Sequence, residues 1–416
     1  MMPYPRFGAI VLALSVFAAA CRTESRGTRA VRVTRSDSAG IEIVTTATQA
    51  GDVPAFATLD STPDLRIGSV AGPVEEQFGS VRDLAVLPDG GVAVLDDQAA
   101  EIRLFGPDGA YRLTVGTKGE GPGELQAPRS ITLLPADTLA VYDYRAARIT
   151  RFGTDGSLGR LVTLAFEGYG RPTSVSLFPD GRVVASSLLS RPGTRVPPEG
   201  LSFTLDSTVL QLNGNDGSLR DTVAVFPWME RFRDLDISPS AVFIRLYPAA
   251  FNRSGVVTTH PDGVWCGFGD RWELRLLDPV DGHVKRILRA PGLERPLTDG
   301  EADQILQASL AQASDPEDLR ARHHRYDLSP RPAMRPTYDR VLVDDQARLW
   351  LEEWPGARTE SRRWWVFAQD GALSGYVEVP GDFRLDAVRG HQAWGIVRDD
   401  LDVQYVVRYV IRPGGA

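Results

Sequence analysis

A repeated pattern constrains this chain of 416 residues more than any other feature. The segment 116–156 carries one complete unit, and it matches the unit before it at a constant offset of 47 residues. An offset that persists over many positions indicates a repeat architecture, in which similar structural units stack side by side. The matched pairs are Leu87 and Leu134, Pro88 and Pro135, Asp96 and Asp143, Ile102 and Ile149, and Phe105 and Phe152.

Each unit reads as four short strands with tight turns between them. Asp-Gly pairs such as Asp108-Gly109 and Asp155-Gly156 are typical of hairpins, because glycine supplies the positive φ that these turns require. The pattern recurs six times with decreasing fidelity, which predicts an all-β fold: a six-bladed β-propeller. The sixth unit lacks its fourth strand, so we expect the N-terminal strand Leu65–Gly68 to complete that blade and close the ring. A further candidate strand, Ile41–Val44, is expected to pair elsewhere.

One insertion breaks the β pattern before the fifth blade, at about 297–326. Thr298 followed by Glu301 forms a capping box, and apolar residues then recur at helical spacing. Asp315-Pro316 predicts the start of a second short helix. The sequence therefore predicts a short helical insertion in a propeller that extends over residues 40–416.

The N-terminus predicts export. A basic residue, Arg6, precedes fourteen small or apolar residues, a length typical of a signal peptide and too short for a membrane span. Ala18-Ala-Ala-Cys21 resembles the bacterial lipobox, although leucine is commoner at the first position. We therefore expect a signal peptide over 1–20, lipidation of Cys21 and a flexible tether over 21–39. Simple secretion and an uncleaved anchor are the alternatives.

Charge, cysteine content and histidine spacing argue against some classes of partner and site. The net charge is −8 without a basic cluster, which argues against nucleic acid. With Cys21 lipidated, only Cys266 remains, so no internal disulfide is expected, and its apolar surroundings favour a buried structural residue. The five histidines show no metal-binding spacing: His260, His283, His323, His324 and His391.

The repeats resemble those of bacterial six-bladed β-propeller lipoproteins, which are similar to NHL-repeat propellers. The resemblance rests on the segment 119–124, on Ala127-Pro128 before a strand, on Val141-Tyr-Asp143 and on Phe152 before Asp155-Gly156. It is strong over residues 64–165 and weaker beyond them. It implies a fold and a cell-envelope location rather than an activity, and it extends more distantly to propeller lactonases and amidating lyases.

Long connections predict where a ligand would bind. The segments 116–130, 187–205, 226–255, 290–339 and 353–363 all fall on one predicted face, whereas the Asp-Gly turns fall on the other. Loops gathered on one face of a rigid scaffold commonly form binding sites. We expect the ligand-binding residues there to be Asp97, Arg129, Asp143, Arg171, Asp270, Trp272, Glu352 and Trp354. A competing explanation for Asp143 is that it recurs to stabilise its own turn.

These observations favour an extracytoplasmic, lipid-anchored protein of the periplasm or outer membrane that binds a small molecule or an envelope protein without catalysis. Its contact with the membrane would be through the lipid anchor alone. Two alternatives remain. One is a metal-dependent lactonase or lyase with a site in the channel, and the other is a structural subunit of an envelope assembly that docks through the helical insertion. No cofactor is expected for binding, and Ca²⁺ is expected only for the enzyme alternative.

Overall fold

The structure, a computed structural model, describes residues 31–189, 200–237, 242–357 and 360–414. The predicted signal peptide and Cys21 lie outside the described residues. Within the described ranges the chain is mostly β and forms several small, largely antiparallel sheets, as predicted. No helix in these ranges is long and apolar enough to cross a membrane.

Sheets 1 and 2 are four-stranded and arise from the two best-matched repeats. In the turn between the third and fourth strands of sheet 1, Asp108 accepts the backbone N–H of Ala110, and Gly109 has a φ of 82°. The Asp155-Gly156 turn of sheet 2 is equivalent. The strands are Val81–Val86, Val92–Asp96, Glu101–Phe105 and Tyr111–Val115 in sheet 1, and Pro128–Leu134, Thr138–Asp143, Arg148–Gly153 and Leu158–Thr163 in sheet 2.

Sheet 3 differs from the prediction. The segments 187–205 and 226–255 were expected to be long connections, but much of each is β-strand, with residues 190–199 and 238–241 outside the described ranges. Cross-strand pairs such as Phe203 and Phe232, whose rings meet edge to face at 5.7 Å, extend the hairpin beyond the repeat length. The strands are Ser174–Leu177, Val183–Leu188, Gly200–Asn213, Leu219–Ile237 and Val242–Pro248.

Sheet 4 gains two strands from the N-terminus. The strand predicted at Ile41–Val44 pairs in parallel with the last strand of this sheet, and a strand at Arg32–Ser38 pairs with it in turn. The prediction of a flexible tether up to residue 39 was therefore wrong for 32–38, where Arg35 bonds to both Glu42 and Asp370. The strands are Gly255–His260, Gly263–Phe268, Glu273–Leu277 and Val284–Arg289, followed by Ile41–Ala47 and Arg32–Ser38.

Sheets 5 and 6 complete the series, and sheet 6 combines both ends of the chain. Its last strand pairs with two N-terminal strands, and Ile67 lies opposite Val406 in the register. The strands of sheet 5 are Tyr338–Val343, Leu349–Glu353, Ser361–Phe367 and Leu373–Pro380. Those of sheet 6 are Arg384–Arg389, Gln392–Arg398 and Gln404–Pro413, with Ala57–Leu59 and Leu65–Ile67 from the N-terminus.

The core is divided among the junctions between sheets. Each neighbouring pair, including sheets 6 and 1, shares one cluster of buried apolar residues. The first strands of the six sheets also contact one another in the same cyclic order. Neighbouring sheets are thus packed face to face through buried apolar side chains. The apolar area that these side chains remove from water stabilises the packing.

The two predicted helices are present. Helix α1 is Asp299–Leu310 and begins with the predicted capping box, and helix α2 is Pro316–Leu328. Helix α1 buries Ala302 and Ile305 in a cluster with Phe251 and Trp354, so the insertion is part of the body. The remaining short elements are the 3₁₀ helices Ala50–Asp52, Val74–Glu76 and Pro291–Leu293 and the parallel pair Thr117–Lys118 and Glu124–Leu125.

Candidate functional site at the mouth of the strand cycle

We call the mouth the side of the molecule where the first strand of each sheet begins and the second strand ends. Sheets meet there through polar contacts: Asp83 of sheet 1 accepts the N–H of Ile131 of sheet 2 at 2.9 Å, and Arg384 of sheet 6 donates to the carbonyl oxygen of Arg82 of sheet 1 at 3.0 Å. These contacts bring side chains from neighbouring sheets close together. The mouth is therefore where polar groups from different sheets converge.

A β-bulge recurs at the start of four first strands. The strand register shifts by one residue in sheets 1, 2, 5 and 6, which leaves Arg82, Arg129, Asp339 and Asp386 at the extra position. A bulge twists the strand and redirects the side chain that it carries. All four bulged residues are charged, so the bulges concentrate charge at the mouth.

Asp143 has a structural role that uses its carboxylate fully. It is buried and accepts backbone N–H groups from Gln126, Ala127, Arg145 and Ala146 at 2.7–3.1 Å. These bonds connect the residues that precede the first strand of sheet 2 with the turn that follows its second strand. These bonds favour the structural explanation for the recurrence of Asp143 over the prediction of ligand binding, because four donors occupy most of the acceptor capacity of a carboxylate. Asp96 has the equivalent bonds in sheet 1.

The two predicted tryptophans lie in the core. Trp272 is 3% exposed and meets the rings of Tyr338 and Trp365 edge to face at 5.7 and 6.2 Å. Trp354 is 7% exposed and packs against the helical insertion. Their position stabilises the junction of sheets 4 and 5 and the attachment of α1, and it leaves little ring surface for a ligand.

Glu352 belongs to a compensated group of charges, which we call the acid–base cluster and define as Arg340, Glu352, Arg362, Arg384 and Asp386. Arg362 donates to Glu352 at 3.1 Å, and Arg340 lies 3.8 Å from the other Glu352 oxygen, which is buried without a hydrogen-bond partner. Asp386 accepts from both Arg340 at 2.8 Å and Arg384 at 3.0 Å. The cluster therefore pairs its charges internally.

Burial perturbs the carboxylates on this side of the mouth. It raises the pKa of Glu352 above the usual range of a carboxyl group, against the opposing effect of Arg340 and Arg362. It also raises the pKa of Asp83 to about 7, despite the stabilising hydrogen bond from the Ile131 N–H, and the nearby charge of Asp386 raises it further. Desolvation disfavours a charged carboxylate, which explains both directions.

Arg129 and Arg171 form the contrasting group. Together with Tyr144 they make what we call the arginine–tyrosine group: the Arg129 guanidinium lies 3.9 Å from the Tyr144 ring centre and that of Arg171 lies 5.8 Å from it. Arg171 donates to the carbonyl oxygen of Arg145 at 2.5 Å, and Arg129 approaches that of Thr173 at 3.5 Å. Neither arginine has a carboxylate within 4.0 Å in the described ranges. Two positive charges thus meet at this edge of the mouth without compensation.

The last two predicted residues have different surroundings. Asp97 is half-buried beside the mouth, and its N–H donates to Ser80. Asp270 is exposed, pairs with Arg271 at 3.2 Å and lies on the rim of a cleft between sheets 3 and 4. Of the eight predicted residues, the structure brings together only Arg129 and Arg171. Sequence reasoning missed Arg340, Asp386 and Tyr144, and the signal that could have revealed Tyr144 is its aromatic ring directly after the recurring aspartate.

In the part of the chain that the structure describes, Asp143, Asp270 and Glu352 do not form a group of potential metal ligands within 4.8 Å of one another. One group in these residues does bring three potential metal ligands within 4.8 Å: Asp278, Asp281 and His283. It lies at the opposite end of sheet 4 from the mouth, and two of its three members are exposed.

Comparison with known proteins adds similarities of overall shape. No protein-family model and no curated protein matches the sequence. A candidate exported protein from Bacteroides fragilis is 11% identical with a TM-score of 0.48, covering 90% of this chain and 100% of that one. A Bacteroides vulgatus protein from a domain family of unknown function is 12% identical with a TM-score of 0.46, covering 85% and 99%. Virginiamycin B lyase from Staphylococcus aureus is 12% identical with a TM-score of 0.38, covering 80% and 96%.

Proposed function

We propose that the six sheets are the blades of a closed β-propeller and that its mouth binds an anionic ligand without catalysis. The cyclic order of contacts between first strands supports six blades, and the pairing of Leu65–Ile67 with the C-terminal strand supports closure through sheet 6. Closure by both chain ends removes exposed sheet edges. The mouth would then surround one end of a central channel.

The arginine–tyrosine group carries the binding proposal. Arginine binds carboxylate and phosphate groups through two parallel N–H donors, and its guanidinium remains protonated at any physiological pH. Arg129 is held over the face of Tyr144, which restricts its rotamers before a ligand arrives. A preorganised cation without a carboxylate partner favours an incoming anion, because the anion displaces only water.

The same residues favour binding over catalysis. Guanidinium groups neither accept protons nor act as nucleophiles under physiological conditions. The proposed ligand is a small carboxylate or phosphate compound, or the acidic segment of an envelope protein, with one anionic group between Arg129 and Arg171. Tyr144 would contact the adjoining part of the ligand.

A thermal-shift titration tests this proposal. Citrate, as a multivalent carboxylate probe, should raise the Tm of the wild-type chain at low ionic strength, and glycerol should not. The double variant Arg129→Ala/Arg171→Ala should bind citrate at least about tenfold more weakly, since each charged hydrogen bond contributes about 1.5–3 kcal/mol.

The matched control removes two positive charges elsewhere. Arg112 and Arg220 are exposed and pair with Asp89 and Asp216, away from the mouth. Arg112→Ala/Arg220→Ala should therefore bind citrate like the wild type. Equal loss in both double variants would attribute the effect to net charge and contradict the site.

We also propose that the protein is lipid-anchored at Cys21 on the extracytoplasmic side of a membrane. Support comes from the sequence: a short apolar segment followed by Ala18-Ala-Ala-Cys21. Metabolic labelling with a palmitate analogue should mark the wild type and leave Cys21→Ala unlabelled. Equal labelling of the two would contradict the anchor.

A further inference from the structure

We infer that a second site lies in the cleft between sheets 3 and 4 and binds small amphipathic anions: molecules with an apolar body and one carboxylate or sulfonate group. The cleft has a volume of about 390 Å³ and lies away from the arginine–tyrosine group. Small-molecule pockets commonly fall between about 300 and 1,000 Å³ and combine apolar walls with a few polar groups.

Two close approaches between sheets 3 and 4 flank the cleft in sequence. A Cβ on Gly282, which lines the cleft, would lie 2.3 Å from the carbonyl oxygen of Val223, and a Cβ on Gly255 would lie 2.5 Å from the ring of Trp228. Only glycine allows sheets 3 and 4 to meet this closely. The cleft itself is lined by residues 224–227 of the long fourth strand of sheet 3 and by residues 266–268 of sheet 4.

The wall of the cleft is largely apolar. Phe226 and Phe268 are only partly buried, and Phe226 meets Trp228 edge to face at 6.1 Å. Cys266 lies on the wall, and burial raises the pKa of its thiol to about 12, so the thiol remains uncharged and behaves as an apolar group. Val225 is 54% exposed, which is high for a valine in a strand. A bound apolar body would cover these surfaces and gain the corresponding transfer free energy.

The rim exposes its positive groups more than its negative groups. Glu273 pairs with both Arg275 at 3.2 Å and Arg289 at 2.9 Å, while Arg271 pairs with Asp270 at 3.2 Å. The side chains of Glu273 and Asp270 are 12% and 31% exposed, whereas those of Arg275 and Arg271 are 57% and 63% exposed. Both guanidinium groups can therefore turn toward a ligand, which is why the apolar body should carry a negative rather than a positive group.

Two fluorescent probes with the same apolar body test the inference. 1-Anilinonaphthalene-8-sulfonate carries one sulfonate, and N-phenyl-1-naphthylamine lacks it. Both should bind the wild-type chain with a rise in fluorescence. Arg271→Ala/Arg275→Ala should weaken the sulfonate probe by about three- to tenfold, since two exposed charged contacts worth about 0.2–1 kcal/mol each are removed, and should leave the neutral probe unchanged.

Variants that fill the cleft locate the binding. Ala224→Phe and Val284→Phe each place a ring in the space that the probes would occupy, and both probes should lose most of their binding. Two filling positions are used so that one remains informative if the other prevents folding, as judged by circular dichroism. The variant Arg129→Ala/Arg171→Ala should bind the neutral probe like the wild type, which separates this site from the mouth. Wild-type-like probe binding by a folded filling variant, or equal weakening of both probes in Arg271→Ala/Arg275→Ala, would overturn the inference.

Discussion

On one side of the mouth, Arg340 and Arg384 both donate to Asp386, whereas on the other side Arg129 and Arg171 flank Tyr144 with no carboxylate of the described residues within 4.0 Å of either. The two groups occupy similar positions at the starts of first strands. They differ in whether the protein supplies the counter-charge. In the acid–base cluster the charges stabilise the junction of sheets 5 and 6, because each buried carboxylate meets a guanidinium.

This difference is expected to distinguish charges that stabilise the fold from charges that are available to bind a ligand. A buried and paired charge is costly to disturb, since removing one partner leaves the other desolvated. Arg171 is exposed and Arg129 is half-buried, and neither has a carboxylate within 4.0 Å in the described ranges, so both are expected to contribute less to stability and to remain available to a ligand. Mutation of paired and of unpaired charges at the mouth is therefore expected to have different effects: a large loss of stability for the paired charges and a small one for the unpaired charges.

Removing the N-terminal strand of sheet 6 should have the largest effect on stability, because sheet 6 carries Arg384 and Asp386 of the acid–base cluster. A chain that begins at Gly72 lacks Leu65–Ile67 and so loses the partner of Val406 on sheet 6. We expect it to aggregate or to lose its cooperative unfolding transition, whereas a chain that begins at Gly40 retains that strand and should unfold cooperatively. Urea unfolding followed by circular dichroism measures this, and a stable monomer beginning at Gly72 would contradict both closure and the count of six blades.

Removing the shared carboxylate should have the next largest effect. Asp386→Ala leaves Arg340 and Arg384 without their common partner, and we expect a loss of about 3 kcal/mol in the free energy of unfolding. Asp97→Ala is the control, because Asp97 is half-buried and makes no ion pair with an arginine in the described ranges; it should change stability by less than about 0.5 kcal/mol. Equal effects from the two variants would break the distinction between paired and unpaired charge.

The pH dependence of stability should sharpen the same comparison. Because the pKa of Asp83 is raised to about 7, the folded state binds more protons than the unfolded state between about pH 4 and pH 7. Stability from this group therefore falls as pH rises through that window, with a slope no steeper than about 1.4 kcal/mol per pH unit. Asp83→Asn should remove this component, so that its stability relative to the wild type increases from pH 4 to pH 7. A constant difference across that range would contradict the raised pKa.

The smallest stability effect is expected on the arginine–tyrosine side. Arg129→Ala/Arg171→Ala should reduce the free energy of unfolding by less than about 1 kcal/mol, because no ion pair in the described ranges is lost. Urea unfolding checks this against Asp386→Ala. A loss as large as that of Asp386→Ala would assign these arginines a structural role.

The sequence predicted the strands where the repeat is exact and failed where local context overrides it. Sheets 1 and 2 follow the repeat offset, and their Asp-Gly turns form as expected. The long hairpin of sheet 3 was missed because cross-strand pairs such as Phe203 with Phe232 extend it beyond the repeat length. The strand Arg32–Ser38 was missed because its polar residues pair along an exposed edge, which hydrophobic periodicity does not detect.

The candidate site was less predictable than the fold. Arg129 and Arg171 were both among the residues predicted on the face of the long connections, whereas the recurrence of Asp143 coincides with its bonds to backbone N–H groups. The register makes Glu353 of sheet 5 the equivalent of Asp143 of sheet 2. Glu352 is then the equivalent of Tyr142, which is an interior position. β-Bulges decide which side chains face the mouth, and a single sequence does not reveal them.

Supplying the missing counter-charge tests the central claim most directly. Arg129 and Arg171 flank the Tyr144 ring at 3.9 and 5.8 Å from its centre, so Tyr144→Glu would place a carboxylate within reach of both guanidinium groups. Tyr144→Gln has nearly the same shape as Tyr144→Glu without the charge. By isothermal titration calorimetry at low ionic strength, Tyr144→Gln should retain citrate binding, and Tyr144→Glu should bind citrate at least about tenfold more weakly than Tyr144→Gln. Equal citrate affinity in the two variants would show that the unpaired charge of Arg129 and Arg171 does not define the site.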